Sequence, residues 1–348
     1  MTNSAHQMEF WQENWWPGPN DGSVLPHGFL YSVNGIEGSD SDVLSTSSGQ
    51  GDGLADPHAY YCPERQTAVF VNTEYYGQCK SWALGIAAQV LERDFNTHSI
   101  HGACAEVNGK GIVLVAPTGT GKTTQVNKLF QHPEGRIVGD DWLYIQHPED
   151  GSSQAPLTVT QPEKSLYVRT ENAEEEEWLR PIFENHKLEN VRTDPGNCRH
   201  EDGEACQIED HGEDFCLWGF GNSRGLLPRE AMLGPDKVAD QASLNLIVLL
   251  RRDEEAPAEV WLDPDEAVDV LREGRYQIRP GAGPEEDWGT YDQEPWYNPY
   301  LLKPDHEAQA EFFRREVETS ACVLLNTAPE DETIQRTYKR ILDALDQA

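Results

Sequence analysis

Hydrophobic and polar positions change their pattern near residue 66 of the 348-residue chain. Beyond it, short apolar runs alternate with stretches of helical periodicity, which predicts an α/β architecture. "AVFVN" (68–72) reads as a strand, and "KSWALGIAAQVLERDF" (80–95) carries apolar residues at helical spacing. "HGACAEVNGKGIVLVA" (101–116) predicts two strands joined by a tight turn at Asn108-Gly109. A helix follows at "KTTQVNKLFQ" (122–131), then a buried strand interrupted by two acids, "RIVGDDWLYI" (136–145). "AEEEEWLRPIFENH" (173–186) predicts an acidic amphipathic helix whose regularity Pro181 limits. "SLNLIVLLRR" (243–252) is a further buried strand. "DPDEAVDVLREG" (263–274) opens on an acidic cap and stops at glycine, a helix signature. "RPGAGPEEDWGTYDQEPWYNP" (279–299) predicts a long Gly/Pro loop, a candidate lid. "ACVLLNTAP" (321–329) is a late strand and "DETIQRTYKRILDALDQ" (331–347) a closing helix.

Residues 1–64 break this pattern. They hold no Lys or Arg and are rich in Gly, Ser, Asp and Pro. The expected division is a loop-rich, acidic region at 1–65, anchored by Phe10, Trp11, Trp15 and Trp16, and a catalytic domain at 66–348. Charge adds a further constraint. Lys plus Arg number 27 against 61 Asp plus Glu, a formal net charge of -34. Such a field repels nucleic acid and anionic membranes, so neither is an expected partner. It suits a halophilic protein, whose self-repulsion concentrated salt screens. The N-terminus lacks the basic and apolar regions of a signal peptide, and no apolar run approaches a bilayer span. The seven cysteines show no framework spacing, so the expected compartment is the cytoplasm, with reduced thiols.

The chemistry begins at Ala116-Pro117-Thr118-Gly119-Thr120-Gly121-Lys122-Thr123-Thr124, between a predicted strand and a predicted helix. The spacing is that of a Walker A loop, with Ala116 at the first glycine position. Gly119 and Gly121 allow the backbone to curl its N–H groups inward, and the helix offers its positive end to phosphates. Lys122 supplies charge to the outer phosphates of ATP, and Thr123 a hydroxyl for Mg²⁺. Asp140 and Asp141 follow a buried strand and suit a Walker B role, because two adjacent carboxylates at one site call for a cation.

Taken together, these segments resemble the ATP-dependent phosphoenolpyruvate carboxykinases and, more distantly, the HPr kinase/phosphorylases. "SIHGACAEVNGKGIVLVAPTGTGKTT" is similar to the P-loop segment of both, and "RIVGDDWLYI" to the carboxykinase kinase-2 motif. "EYYGQCKSW", "SLYVRT", "LENV", "GNSRGLLP" and "VLLNTA" are similar to further carboxykinase segments in the same order. The resemblance implies a carboxykinase-type P-loop fold, a mixed sheet flanked by helices. It implies His101 as a ligand for Mn²⁺, Asp141 on metal with Asp140 nearby, and Lys80 and Arg224 on the transferring phosphoryl group. Without the resemblance, His101 reads more readily as a satisfied core or turn histidine than as a metal ligand.

The departures bear on the reaction. The family's second active-site lysine is Ser81 here, and its substrate-carboxylate arginine has no counterpart before the P-loop. The arginine on the adenine side is replaced by acid, Asp331 or Glu332. The expectation is therefore an ATP- and divalent-metal-dependent phosphotransferase acting on an unidentified small molecule or protein, with Asp140 able to take the acceptor's proton. The alternative is a compact carboxykinase turning oxaloacetate and ATP into phosphoenolpyruvate, CO₂ and ADP, with Arg65, Arg275 or Arg279 holding the carboxylate. Separately, Cys198, His200, Cys206, His211 and Cys216 leave two readings open, a structural zinc site or a solvated hairpin with incidental thiols.

Overall fold

The computed structural model describes residues 1–19, 22–37, 55–148, 156–170, 172–175, 177–191, 223–279, 283–328 and 333–348. In chain order its elements are α1 (Ala5–Asn14), β1 (Phe29–Val33), β2 (His58–Cys62), β3 (Thr67–Val71), α2 (Tyr76–Asp94), β4 (Thr97–Val107), β5 (Lys110–Val115), α3 (Lys122–Gln131), β6 (Gly135–Gln146), β7 (Thr158–Thr160) and β8 (Ser165–Arg169). There follow α4 (Asn172–Glu175), α5 (Arg180–Glu184), β9 (Lys187–Glu189), β10 (Arg224–Pro228), α6 (Arg229–Leu233), β11 (Gln241–Arg251), β12 (Glu259–Trp261), α7 (Pro264–Glu273), β13 (Arg275–Gln277), β14 (Tyr291–Gln293), α8 (His306–Thr319), β15 (Ala321–Asn326) and α9 (Ile334–Gln347). The chain is mixed α/β, with sheets flanked by helices, and divides into two compact units.

The first unit comprises Met1–Ala87 and Glu163–Pro235. It holds a sheet in the order β1-β3-β2 and an antiparallel sheet in the order β8-β10-β9. Among the described residues of 1–65, distinct in composition, α1, β1 and β2 are regular elements of this unit. Ser4 caps α1 by accepting from the Gln7 amide, and Phe10 is buried against Tyr76, their ring centroids 5.0 Å apart. Trp11 meets the same tyrosine edge-on at 5.3 Å, whereas Trp16 is exposed. The acidic helix expected over 173–186 is broken into α4, a single 3₁₀ turn and α5, with Pro181 in the first turn of α5. Proline is tolerated there because its missing N–H would have no helical partner.

The second unit comprises Ala88–Pro162 and Asp236–Ala348. Its sheet runs β12-β15-β11-β5-β4-β6-β7, and β7 also pairs with β11, so β11, β5, β4, β6 and β7 close a five-stranded ring. The predicted turn between β4 and β5 has positive φ at both Asn108 and Gly109, as a two-residue hairpin requires. β11 runs parallel to β5 and β15. Strands of this kind are buried on both faces, which explains the unbroken apolar run of β11. On one face Val113, Val115, Ile247 and Leu249 share a core with Leu271 of α7 and Phe313 of α8. Ile112, Leu114, Leu246 and Val248 point to the other face. α3 and α9 pack together and bury Val126, Leu129, Ile341 and Leu345. α7 starts on the predicted acidic cap, which the structure shows as an Asp263/Glu266 capping box, and ends at Gly274, where φ is 60° and an added Cβ would lie 1.9 Å from the Glu294 carbonyl. The expected long loop at 279–299 contains β14, which pairs with β13. The expected lid is therefore partly a hairpin.

Candidate functional site

The loop between β5 and α3 has the backbone that a phosphate cradle needs. Gly119 and Gly121 have φ of 75° and 99°, values open to glycine and strained for other residues. Thr120 is buried and locks the turn by donating its hydroxyl to the Pro117 carbonyl at 2.7 Å. Gly121 is the N-cap of α3 and offers no side chain to its first amides, so these remain available to an anion. Lys122 is the first residue of the helix; Thr123 and Thr124 follow on its exposed side, as does Thr118 on the loop.

β6 brings its two acids to this loop. The β4–β6 register slips between Cys104 and Ala105, inserting an extra residue just before Gly139. Gly139 has no room for a side chain, since an added Cβ would sit 2.2 Å from Gln161 Oε1. Thr123 Oγ1 donates to Asp140 Oδ2 at 3.0 Å, and the Asp141 amide donates to Asp140 Oδ1 at 3.1 Å. Withdrawal from water raises the pKa of Asp140, helped by the Asp141 charge and opposed by Lys122 and Thr123. His101 on β4 places Nε2 3.2 Å from Asp141 Oδ1. Burial lowers the pKa of His101, and the Lys122 charge lowers it further. Asp141 has φ of 85°, uncommon for a residue with a side chain and a local strain of about 1–3 kcal/mol. Such strain persists where the surroundings impose it, which is a feature of functional sites.

No protein-family model matches the chain, and no curated protein matches it. The donors at the loop must therefore be judged on their own chemistry. Thr123 and Asp140 present oxygens, as Mg²⁺ prefers; His101 and Asp141 present a nitrogen and an oxygen, a set that Mn²⁺ accepts. Among the described residues, no group of three or more His, Cys, Asp or Glu side chains is placed to hold a metal ion. A Mg²⁺ ion that keeps waters and phosphate oxygens needs only one or two protein ligands, so an open pair fits it.

The two other expected site residues lie in the first unit. Lys80 is fully buried on α2, its Nζ 3.2 Å from Glu163 Oε2. Asn14 donates to the other Glu163 oxygen at 2.6 Å. Lys80 Nζ and Arg224 Cζ lie 5.3 Å and 5.2 Å from the centroid of the Tyr167 ring, so both cations share one aromatic. The Arg224 Nε is buried and makes no hydrogen bond among the described residues. The structure thus brings His101, Lys122, Thr123, Asp140 and Asp141 together in one unit, and Lys80 and Arg224 together in the other. Sequence reasoning missed Glu163, Tyr167 and Gln161. It also missed Tyr300, whose ring approaches that of His101 edge-on at 5.8 Å. Apart from Tyr167, which lies within "SLYVRT", no motif marked them.

The arginines expected to replace the missing carboxylate ligand are otherwise engaged or exposed. Arg275 donates to Asp253 at 2.7 Å and Glu255 at 2.8 Å, Arg279 binds Glu254, and Arg65 is exposed. Ser81, at the family's second lysine position, donates to the Gly77 carbonyl within its own helix. The Cys198–Cys216 cluster lies outside the described residues, as do Asp331 and Glu332. The described cysteines, Cys62, Cys79, Cys104 and Cys322, are free thiols. Among the described residues no helix is long and apolar enough to cross a membrane.

Proposed function

We propose that the chain is an ATP- and divalent-metal-dependent phosphotransferase on a phosphoenolpyruvate carboxykinase-like fold, acting on a small-molecule or protein acceptor. The supporting observation is the 3.0 Å bond between Thr123 and Asp140, which joins the phosphate loop to the acidic strand. A bare phosphate-binding turn needs no such partner. A phosphoryl-transfer site does, because the loop hydroxyl and the strand carboxylate must face one ion. Thr123 and Asp140 would hold Mg²⁺ and His101 and Asp141 a second ion such as Mn²⁺, the bound ions neutralising charge on the phosphate oxygens. Lys122 and the first amides of α3 orient the phosphates. Asp140 is also the carboxylate proposed to accept the acceptor's hydroxyl proton.

The carboxykinase alternative is weakened because Arg275 and Arg279 are already paired with acids. The two readings separate in one assay. The protein is supplied with ATP, Mg²⁺, Mn²⁺ and oxaloacetate in concentrated salt, and phosphoenolpyruvate, CO₂ and ADP are measured. Formation of all three in equal amounts would overturn the kinase reading. ATP binding without these products supports it, and phosphorylation of an acceptor from a screened panel would establish it.

The strain at Asp141 gives a second test. Asp141→Gly relieves an unfavourable φ and removes a carboxylate. The expected result is a protein about 1 kcal/mol more stable, with metal-dependent turnover at least about tenfold lower. Denaturation midpoints and turnover are measured on the same preparation. A variant less stable than the parent, or equally active, would show that the strain serves no site.

A further inference from the structure

A histidine that binds a metal is ordinarily fixed by a hydrogen bond from its other ring nitrogen, which sets both tautomer and orientation. His101 lacks that support. Among the described residues its ring has no hydrogen bond or ion pair beyond the 3.2 Å approach of Nε2 to Asp141 Oδ1. The direction of Nε2 must therefore be set by packing.

Two aromatic rings supply that packing. Trp142 stands opposite His101 in the β4–β6 register, so the two side chains share one face of the sheet. Tyr300 meets both: its ring centroid lies 5.8 Å from that of His101 at 84°, and 5.0 Å from that of Trp142 at 34°. Trp142 is 1% exposed and packs as a core residue does, whereas Tyr300 is 38% exposed. A side chain so exposed gains less from burial, yet its backbone is clamped. The Asn298 side chain, itself buried, accepts from the Tyr300 amide at 3.0 Å and donates to Ser99 Oγ at 3.0 Å. Ser99 precedes His101 by two positions on β4, so it lies on the same face of that strand. The Asn298 amide donates to Gln309 Oε1 of α8 at 3.4 Å. Tyr300 is thus tied to the strand that carries His101, and its ring is held against that histidine.

We propose that Tyr300 is a positioning residue: together with Trp142, its ring holds the His101 imidazole in the rotamer that turns Nε2 towards Asp141, and so sets the affinity of this pair for a divalent cation. An edge-to-face contact has a preferred angle, so it restrains a ring where a shapeless apolar contact would not. Tyr300 acts through His101 alone and supplies no ligand itself. The inference rests on the metal-dependent reading above for the presence of the ion.

The test titrates Mn²⁺ into the full chain in concentrated salt with ADP present, and follows the free ion by its paramagnetic resonance signal. The parent should bind Mn²⁺ at a site that His101→Ala removes. Tyr300→Ala should weaken that site about tenfold or more, the scale of losing a group that orients a metal ligand. Tyr300→Phe keeps the ring and should stay within about twofold of the parent. Binding of ADP with Mg²⁺ alone, measured by calorimetry, should be the same in the parent and both Tyr300 variants, because Thr123 and Asp140 are untouched. Parental Mn²⁺ affinity in Tyr300→Ala, with the site still lost in His101→Ala, would overturn the proposal and leave the ion reading standing. So would a Tyr300→Phe as weak as Tyr300→Ala, or a Tyr300→Ala that loses Mg²⁺-ADP binding in the same proportion, since the latter is a general disturbance. Mn²⁺ binding unchanged in His101→Ala would instead sink the second-ion reading itself, and this proposal with it.

Discussion

Lys122→Ala is expected to lower nucleotide turnover by about 10³-fold while leaving the fold intact, the scale set by losing a preorganised charge at a transferring group. The stability half follows from its surroundings. Lys122 is the first residue of α3 and makes no hydrogen bond or ion pair among the described residues. Its removal costs no packing, so the denaturation midpoint should move by less than about 0.5 kcal/mol. The electrostatic half has a separate signature. The Lys122 charge lowers the pKa of both His101 and Asp140. Both should therefore titrate at higher pH in Lys122→Ala, and any residual activity should shift its acid limb upward. Nucleotide affinity from calorimetry, turnover and a pH profile together check this. Parental turnover in the variant would mean that the loop is not the site.

The local part of this site is legible in the sequence because its geometry is imposed by neighbours in the chain. Gly119, Gly121 and Lys122 must lie at fixed offsets between a strand and a helix, and they do. The same holds for the Asn108-Gly109 turn and the capped α7. What is not legible depends on partners far along the chain. α1 carries no continuous apolar stripe; it is held by a few contacts, Phe10 and Trp11 on Tyr76 and Asn14 on Glu163. β7 is three residues long, too short for any period, yet it closes the ring through β6 and β11. The positive φ of Asp141, in the middle of β6, has no marker in the sequence that sets it apart from Asp140 beside it. Charge counting treats Lys80 as available for chemistry, whereas the fold pairs it with Glu163, 83 positions away.

The same long-range pairing governs the largest expected loss of stability. His98 on β4 and Glu316 on α8 are both fully buried, 218 positions apart, with Nδ1 2.7 Å from Glu316 Oε1. The other ring nitrogen, Nε2, lies 3.1 Å from Gln309 Oε1, and the Gln309 amide nitrogen donates to Glu92. Both ring nitrogens thus face acceptors, an arrangement that suits the charged imidazolium. Burial alone would lower the His98 pKa, but the Glu316 charge and hydrogen bond, with Glu92 behind them, raise it. Burial likewise opposes ionisation of Glu316, yet the charges and hydrogen bonds of His98 and His147 hold its pKa below the usual value.

Glu316→Gln keeps the shape and removes the counter-ion hydrogen-bonded to the imidazolium, leaving only the more distant Glu92, which should cost about 3–5 kcal/mol. The pH dependence follows from the two directions. A histidine with a raised folded pKa contributes fully below its unfolded value of about 6.5, and the contribution is lost as pH rises through the folded value. A glutamate with a lowered folded pKa contributes above about 4.3 and loses its contribution as pH falls through the folded value. Parental stability from this pair should therefore be greatest between those limits and decline on both sides. Glu316→Gln should flatten both declines, because one group is gone and the other has lost its partner. Glu92 remains in both proteins; burial raises its pKa, so its own ionisation is unfavourable at neutral pH, while its charge supports the His98 imidazolium. Concentrated salt should change little, since a fully buried pair is screened far less than a surface one. Denaturant midpoints for parent and variant, taken from acid to alkaline pH in one salt, decide the matter. Parallel curves would mean that His98 is neutral in the fold and that the carboxylate beside it is not its counter-ion.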